Sequence, residues 1–314
     1  MTTLDNASEI IWNDCMGLQK GENILVLCDK PLRSIGYTLF EKAVQLGFEA
    51  FLMEIKPLTT HGEEPPSTVA ETMKLADVVV IPTSTSLSHT DARRKANKAG
   101  ARVATLPGIT EDIMKRAIPV DYDQMKEMSI KIADMLTSAD AARITTEKGT
   151  DVTIPLKGRE GKPDFGIYHE KSDFGNLPAG EAYIAPLEGV SEGKLIVDGA
   201  IAGVGKLDDL VTITIRDGMA HTIENCPQLQ KMLDEHGQKA RNVAELGVGT
   251  NEKATVIGNI LEDEKAIGTV HVAFGNNISF GGTVDVPVHL DCIIREPTLE
   301  IDDTIVLDKG KLSL

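Results

Sequence analysis

The pattern of apolar and polar residues changes once along the chain, near residue 140. Before that point, short apolar runs alternate with amphipathic segments of helical length, namely NILVLCD, RSIGYTLFEKAVQLG, FEAFLMEI, ADVVVIPT, DARRKANKAG and ARVATL. This alternation is typical of βαβ units that surround a parallel sheet. We therefore predict that residues 1–140 form an α/β domain with a doubly wound, Rossmann-like arrangement.

After residue 140 the pattern becomes that of antiparallel β-structure. The segment ARITTEKGTDVTIPLKG contains two alternating runs around a KGTD turn, which predicts a hairpin. Further strand-like runs follow, and CPQLQKMLDEHGQKARN is the one clear helical segment among them. We predict that residues 141–314 form an α+β, largely antiparallel domain.

Two loops of the first domain bear on ligand binding. The turn after the first predicted strand reads CDKPLRSIG, whereas a dinucleotide site needs a GxGxxG turn that lets the backbone approach the pyrophosphate. We therefore expect no dinucleotide cofactor. The hydroxyl-rich loop PTSTSLSHT is expected to cap the following helix through Thr90 or Asp91.

The composition limits the partners of the protein. A chain of 314 residues is long enough for two domains. Its formal net charge of -16 disfavours nucleic acid and anionic membranes, since both would repel it. The four cysteines lack CxxC spacing, the first residues lack the basic start of a secretory signal, and no apolar run reaches the length of a membrane span. We expect a cytoplasmic protein that binds neither nucleic acid nor membrane.

The segment from His271 to Asp291 concentrates residues that bind metals. It holds two of the seven histidines of the chain, together with an aspartate. Alternate side chains of a strand point to one face about 6–7 Å apart, so His289 and Asp291 can bind one ion. This pair predicts half of a site for a divalent metal ion.

Two glutamates of the second domain lie in unusual surroundings. Glu181 follows the turn-rich segment GNLPAG, and Glu245 lies between small and apolar residues in NVAELGVGTN. A carboxylate in apolar surroundings loses hydration and needs a strong partner such as a metal ion. Both are candidate ligands, although a single glutamate in an apolar strand is more often a member of an ion pair.

Four segments of the second domain resemble the metallo-aminopeptidases of the M29 family, of the aminopeptidase T type. They are GNLPAGEAYIAP, AELGVGTN, EDEKAIGTVHVAFGNN and VPVHLD, and TEKGTDVTIPLKGR adds further support. The resemblance implies a homodimer that removes N-terminal residues from small peptides with a metal-activated water. It also implies two divalent ions (Zn, Co or Mn), and as their ligands Glu181, Glu245, His271, His289 and Asp291.

Two positions depart from the peptidase pattern. The peptidases have a glutamate five residues before the histidine that matches His271 and a tyrosine seven residues after it, where this chain has Ala266 and Ile278. A general base and a carbonyl-stabilising group are therefore missing at their usual places. We expect Glu264 to act as the catalytic residue instead, although a charged EDEK turn is equally typical of a solvated surface.

The shorter relatives of this family support a second interpretation. They include 2,5-dihydroxypyridine 5,6-dioxygenase, in which one Fe(II) is bound by two histidines and an aspartate, and the matching residues here are His271, His289 and Asp291. Such a ligand set leaves positions open for substrate and oxygen. The sequence therefore predicts first a metal-dependent aminopeptidase, second a mononuclear Fe(II) ring-cleaving dioxygenase of a small molecule, and third a metal-binding protein without catalysis.

Overall fold

The computed structural model describes residues 3–314 as a mixed α/β protein with one parallel and two antiparallel sheets. Its α-helices are Leu4–Ile10 (α1), Arg33–Gln45 (α2), Ser67–Met73 (α3), Asp91–Lys98 (α4), Glu111–Ala117 (α5), Tyr122–Ser138 (α6), Pro227–Asp234 (α7) and Ile260–Asp263 (α8). A π-helical turn spans Ile11–Cys15, and 3-10 turns span Lys30–Leu32, Gln238–Arg241 and Ile278–Phe280. Within residues 3–314, no helix is long and apolar enough to cross a membrane.

The strands are numbered β1 to β20 along the chain. They are Asn23–Asp29, Glu49–Ile55, Val78–Ile81, Arg102–Thr105, Ala141–Thr145, Asp151–Pro155, Lys162–Asp164, Phe174–Asn176, Glu181–Ile184, Glu192–Val197, Ala200–Ile201, Gly205–Lys206, Val211–Arg216, Met219–Glu224, Val243–Gly249, Thr269–Gly275, His289–Arg295, Thr298–Ile301, Thr304–Asp308 and Lys311–Leu312. The parallel sheet has the order β2-β1-β3-β4-β8. The antiparallel sheets have the orders β14-β13-β10-β6-β5-β18-β19-β20 and β12-β11-β17-β16-β15-β9-β7.

The residues group by their contacts into two compact units. The first consists of the chain up to Tyr122 together with Gly166–Ala179, and the second consists of Asp123–Phe165 and Gly180–Leu314. This grouping differs from the predicted boundary at residue 140, because Ile132 and Leu136 of α6 belong to the core of the second unit. The chain then returns to the first unit so that β8 can pair with β4.

The first unit is built on a parallel sheet, as the alternation of strands and helices predicts. Strand β1 pairs in parallel with β2 and β3, and β4 pairs in parallel with β3 and β8. Residues 24–29 of β1 are all buried, which explains the continuous apolar run in the sequence. Thr90, one of the two predicted caps of α4, accepts a hydrogen bond from the backbone N–H of Arg93 (3.2 Å).

The second unit contains both antiparallel sheets, which share one apolar core. The predicted hairpin is present, since β5 pairs with β6 in antiparallel register on either side of the KGTD turn. The core combines side chains of α6 with side chains of both sheets, for example Ile144 and Leu195 from one sheet and Val272 from the other. Each sheet therefore turns one face toward the core, and its other face can carry polar side chains.

Strand β16, with the sequence TVHVAFG, positions the candidate metal ligands. Val270, Val272 and Phe274 are fully buried in the apolar core. His271 and Ala273 alternate with them and therefore lie on the opposite face of the strand. Packing of the apolar face thus fixes the position of the strand that carries His271.

Replacing Phe274 with alanine is expected to lower the free energy of unfolding by about 3–5 kcal/mol, because a fully buried ring leaves the core. The matched control is Ile305→Ala in the same unit. Ile305 is 45% exposed, and its loss should change stability by less than about 0.5 kcal/mol. Chemical denaturation followed by circular dichroism measures both variants, and equal losses would contradict the core position of Phe274.

Candidate metal centre

Four neighbouring strands of the seven-stranded sheet bring the five predicted ligands to one face. In the order β17-β16-β15-β9, each strand is antiparallel to the next. The pairs that carry the ligands are Gly275 with His289, Ala273 with Asp291, Ala273 with Glu245, Gly247 with His271, and Gly249 with Glu181. Directly paired residues point to the same face of a sheet, so the five ligands project together.

The ligand side chains form a row that is centred on Glu245. One oxygen of Glu245 lies 3.2 Å from His271 Nε2, and the other lies 3.3 Å from His289 Nε2. His271 Nε2 is also 3.4 Å from Glu181 Oε2, and His289 Nε2 is 3.4 Å from Asp291 Oδ1. Two groups of possible ligands therefore share Glu245, one with Glu181 and His271 and one with His289 and Asp291.

The spacing of these atoms suits a coordinated metal ion. Charged hydrogen bonds between nitrogen and oxygen are usually about 2.7–2.9 Å long. Ligand atoms bound to one ion at about 2.0–2.2 Å lie roughly 3.0–3.4 Å apart, as the contacts around Glu245 do. Imidazole and carboxylate groups are also the donors that divalent transition metals accept. The residues present therefore fit a divalent metal ion.

The hydrogen bond of His289 orients this ring for metal binding. Its Nδ1–H donates a hydrogen bond to the backbone carbonyl oxygen of Asn276 (2.7 Å). Nε2, which faces Glu245 and Asp291, is then free to bind a metal ion, as is common for histidine ligands. Without a metal, burial disfavours the charged ring, but Asp291 and Glu245 outweigh it and raise the pKa of His289 well above its ordinary value. A metal ion must therefore displace a proton from this ring.

Gly247 makes room for the ring of His271. The two residues pair across β15 and β16, and a Cβ atom placed on Gly247 would lie 2.0 Å from His271 Nε2. A side chain at this position would push the ring away from Glu181 and Glu245. Sequence reasoning missed Gly247, although a glycine inside a strand is a recognised sign that another group approaches the backbone closely.

The charged run EDEK is buried, so its interpretation as a solvated surface is wrong. Glu262, Asp263 and Lys265 are at most 1% exposed, and the Glu264 side chain is 14% exposed. Lys265 Nζ lies 2.5 Å from Glu181 Oε1 and 2.8 Å from Glu264 Oε1. Sequence reasoning missed Lys265, and the only signal for its burial is that the run lies between the apolar segments NIL and AIGTV.

Burial and charge set the protonation of Glu264 and Lys265. Burial raises the pKa of Glu264 to about 8, although Lys265 acts in the opposite direction. Burial disfavours the ammonium of Lys265, but Glu181 and Glu264 outweigh it and raise its pKa well above the ordinary value. Lys265 is thus a permanent buried cation beside the ligands.

Aromatic rings flank the accessible side of the centre. His289 is the most open ligand, with 28% of its side chain exposed against 1–11% for the other four. The ring of Phe280 stands edge-on to His289, with centroids 5.8 Å apart, and to Tyr183, with centroids 5.6 Å apart. Tyr183 pairs with Gly247 and so lies on the ligand face. A molecule that reached the ion past His289 would meet aromatic rings.

Glu188 anchors the loop that carries Phe280. One oxygen of Glu188 accepts hydrogen bonds from Asn277 Nδ2 (3.0 Å) and from the backbone N–H of Thr283 (2.7 Å). The other oxygen pairs with Arg159. These contacts hold the segment between β16 and β17 beside the centre, together with Ile278, which is 50% exposed.

The exchange Glu245→Gln should weaken metal binding at least about 10-fold, as the loss of a group that supports metal ligands usually does. The reason is that Glu245 contacts both histidines. Equilibrium dialysis with Mn²⁺ and elemental analysis measures the affinity. Glu224→Gln, at an exposed position of β14, is the matched control. The same affinity in both variants would refute the role of Glu245.

A methyl group at position 247 should act through His271 alone. We expect Gly247→Ala to destabilise the protein by roughly 1–3 kcal/mol, as overpacking usually does, and to weaken Mn²⁺ binding. In a His271→Ala background the clash is gone, so the same exchange should have little effect on stability. A double-mutant cycle of chemical denaturation measures this coupling. Additive effects of the two exchanges would contradict the proposed contact.

Sequence comparison identifies relatives along nearly the whole chain. The chain matches the family described as NicX, 2,5-dihydroxypyridine 5,6-dioxygenase, over residues 13–314. A 2,5-dihydroxypyridine 5,6-dioxygenase from Pseudomonas putida KT2440 is 23% identical over 259 residues, which cover 76% of this chain and 71% of the relative. These findings support the dioxygenase interpretation of the sequence better than the aminopeptidase interpretation.

Two solved structures share the fold. The structure of 2,5-dihydroxypyridine dioxygenase from Pseudomonas putida KT2440 has a TM-score of 0.85 at 17% identity and covers 99% of this chain and 98% of its own. Wild-type AmpT from Thermus thermophilus has a TM-score of 0.73 at 17% identity and covers 99% of both chains. The fold alone is therefore common to both. Since the family match extends over residues 13–314, the protein belongs to the 2,5-dihydroxypyridine 5,6-dioxygenase (NicX) family.

Proposed function

We propose that the protein is a ring-cleaving dioxygenase that uses one Fe(II) ion and acts on a hydroxylated, nitrogen-containing aromatic ring. In this proposal His271, His289 and Asp291 hold the ion, as the sequence predicts for a dioxygenase, and Glu245 contacts the Nε2 atoms of both histidines. Membership of the dioxygenase family suggests the reaction and the class of substrate. The contacts of the site give further support for this chemistry over hydrolysis.

The observation that carries the proposal is that the ligands are present without a ready base for hydrolysis. A metallopeptidase of the aminopeptidase T type would need a glutamate at position 266, where this chain has a buried alanine. Glu264, the nearest replacement, lies two residues earlier in the chain, and its carboxyl group is held 2.8 Å from the ammonium of Lys265. Activation of water is therefore poorly supported.

The open side of the centre suits a flat aromatic substrate. A molecule can approach the ion past His289, where Phe280 and Tyr183 line the way. Aromatic rings pair favourably with other rings in edge-on or offset geometry. A peptide would instead need hydrogen-bonding groups for its backbone, and Ile278 offers none where the peptidases have a tyrosine.

The proposed reaction is balanced by dioxygen alone. One carbon–carbon bond of the ring breaks, both oxygen atoms of O₂ enter the product, and the two ring carbons are oxidised as O₂ is reduced. Fe(II), when bound, would supply open positions for substrate and oxygen and the electron transfer that O₂ requires. The protein's own groups hold the ligands and enclose the ring, and Glu264, whose pKa burial raises, would be the group that exchanges a proton with a developing oxygen anion.

A second candidate is a two-ion aminopeptidase, and one observation favours it. All five ligands implied by the resemblance are present, and Glu181 Oε2 is buried without a hydrogen-bond partner in the described part of the chain. Such an atom could bind a second ion. The likeness in fold to AmpT is compatible with this function. A metal-binding protein without catalysis is the third outcome of the test that follows.

The test loads the metal-free protein with Fe²⁺ in the absence of air and then adds 2,5-dihydroxypyridine and oxygenated buffer. We expect about one molecule of O₂ to be consumed for each substrate ring that is cleaved, since one O₂ supplies both oxygen atoms. Ring loss is followed by ultraviolet absorbance and O₂ by an electrode. Protein loaded with Zn²⁺, which has no redox chemistry, is the control and should be inactive.

Release of amino acids from small peptides without O₂ uptake would contradict the proposal and favour the aminopeptidase. The non-catalytic interpretation would be favoured if metal-loaded protein neither took up O₂ with any of several hydroxylated pyridines nor released amino acids from peptides. Asp291→Asn should abolish O₂ uptake, while the exposed control His221→Asn should retain it.

A further inference from the structure

The centre contains a cation that belongs to the chain itself. Lys265 follows the short helix α8 and is 1% exposed. Its backbone is fixed on both sides, because its N–H donates to Glu262 (2.9 Å) and its carbonyl accepts from the N–H of Asn251 (2.9 Å). The ammonium therefore has a defined position, which the backbone sets.

The ammonium of Lys265 occupies one of the two ligand groups. It lies 2.5 Å from Glu181 Oε1 and 2.8 Å from Glu264 Oε1, within a region closed to solvent. An ion bound by Glu181, Glu245 and His271 would have to share the Glu181 carboxylate with this ammonium. Two cations at such close range repel each other strongly where water cannot screen them.

The charges of the ligands divide in the same way. Glu181 already has a positive partner in Lys265 at 2.5 Å, whereas Glu245 and Asp291 make their close contacts with the two histidines. Two carboxylates balance the charge of one divalent ion. A second divalent ion would leave an excess of positive charge in a buried place, which is unfavourable.

We propose that Lys265 takes the place of a second metal ion on Glu181 and thereby limits the centre to one ion, held by His271, His289 and Asp291. This inference rests on the single-ion centre of the proposed function. It goes beyond that function, because it assigns the number of ions to one lysine outside the ligand set. Lys265 is a specificity-determining residue in this sense.

The test counts the Mn²⁺ ions that each variant binds. Lys265→Met keeps the length of the side chain and removes its charge, so binding should rise from about one ion per chain to about two once the repulsion is removed. Lys265→Arg retains the charge and should stay at about one, because the repulsion remains. Lys253→Met removes an exposed lysine from the same segment and is the matched control, with the wild-type count. Elemental analysis after dialysis gives the count.

Electron paramagnetic resonance gives a second readout that a merely structural role would not alter. Two Mn²⁺ ions that share the Glu245 carboxylate couple magnetically, so the spectrum of Lys265→Met should change while those of the wild type and Lys265→Arg keep the form of an isolated ion. If Lys265→Met unfolds without metal but folds with two equivalents of Mn²⁺, the proposal is also supported. The double variant Lys265→Met with Glu181→Gln removes both charges and should fold with one ion.

Two ions in the wild-type protein would overturn the inference, and so would a single ion in folded Lys265→Met. These outcomes can be told apart from failure of the proposed function. A wild-type protein that binds one ion but takes up no O₂ would refute the dioxygenase reaction and leave the role of Lys265 intact. A wild-type protein that takes up O₂ while binding two ions would support the dioxygenase reaction and refute the role of Lys265.

Discussion

The structure of the candidate centre depends on how positive charge compensates the carboxylates that one sheet face buries. Glu181, Glu245 and Asp291 are each at most 8% exposed. Buried carboxylates are unfavourable unless cations or hydrogen bonds compensate them. Lys265 compensates at one end of the row, and the histidines compensate at the other, where a divalent ion would add further positive charge. The geometry of the strands provides the row, but these cations allow it to be buried.

The sequence predicts the parts of this arrangement that depend on local periodicity. The parallel sheet, the hairpin after residue 140 and the shared face of His289 and Asp291 all follow from alternation along single segments. Glu181 and Glu245 are 64 residues apart along the chain, and the pairing of β9 with β15 brings them together. Only the family resemblance could predict that these glutamates converge.

Other features could not be read from local patterns. Lys265 belongs to a run of charged residues, and charged runs are usually solvated, so nothing in the run itself indicates burial. Gly247 is required because a ring from the neighbouring strand lies over it, and the identity of that neighbour is set by the sheet. The first stretch of the first unit ends at the start of α6, because that helix packs on a core whose other residues come later in the sequence.

Very similar ligands can therefore support different chemistries when the groups around them differ. The candidate ligands of this chain match those implied for a two-ion peptidase, yet the fold is also that of a dioxygenase. On our account the decisive differences lie outside the ligand set: a lysine on Glu181, an alanine at position 266, and aromatic rings beside His289. Metal number and substrate access, rather than ligand identity, separate the two functions.

The most direct test of this account is a crystal structure of the protein loaded with Fe²⁺, with anomalous scattering recorded on both sides of the iron absorption edge. The account predicts a single iron peak among His271, His289 and Asp291, with the ammonium of Lys265 still on Glu181. Two peaks that share Glu245, or a peak at Glu181 with Lys265 displaced, would contradict it.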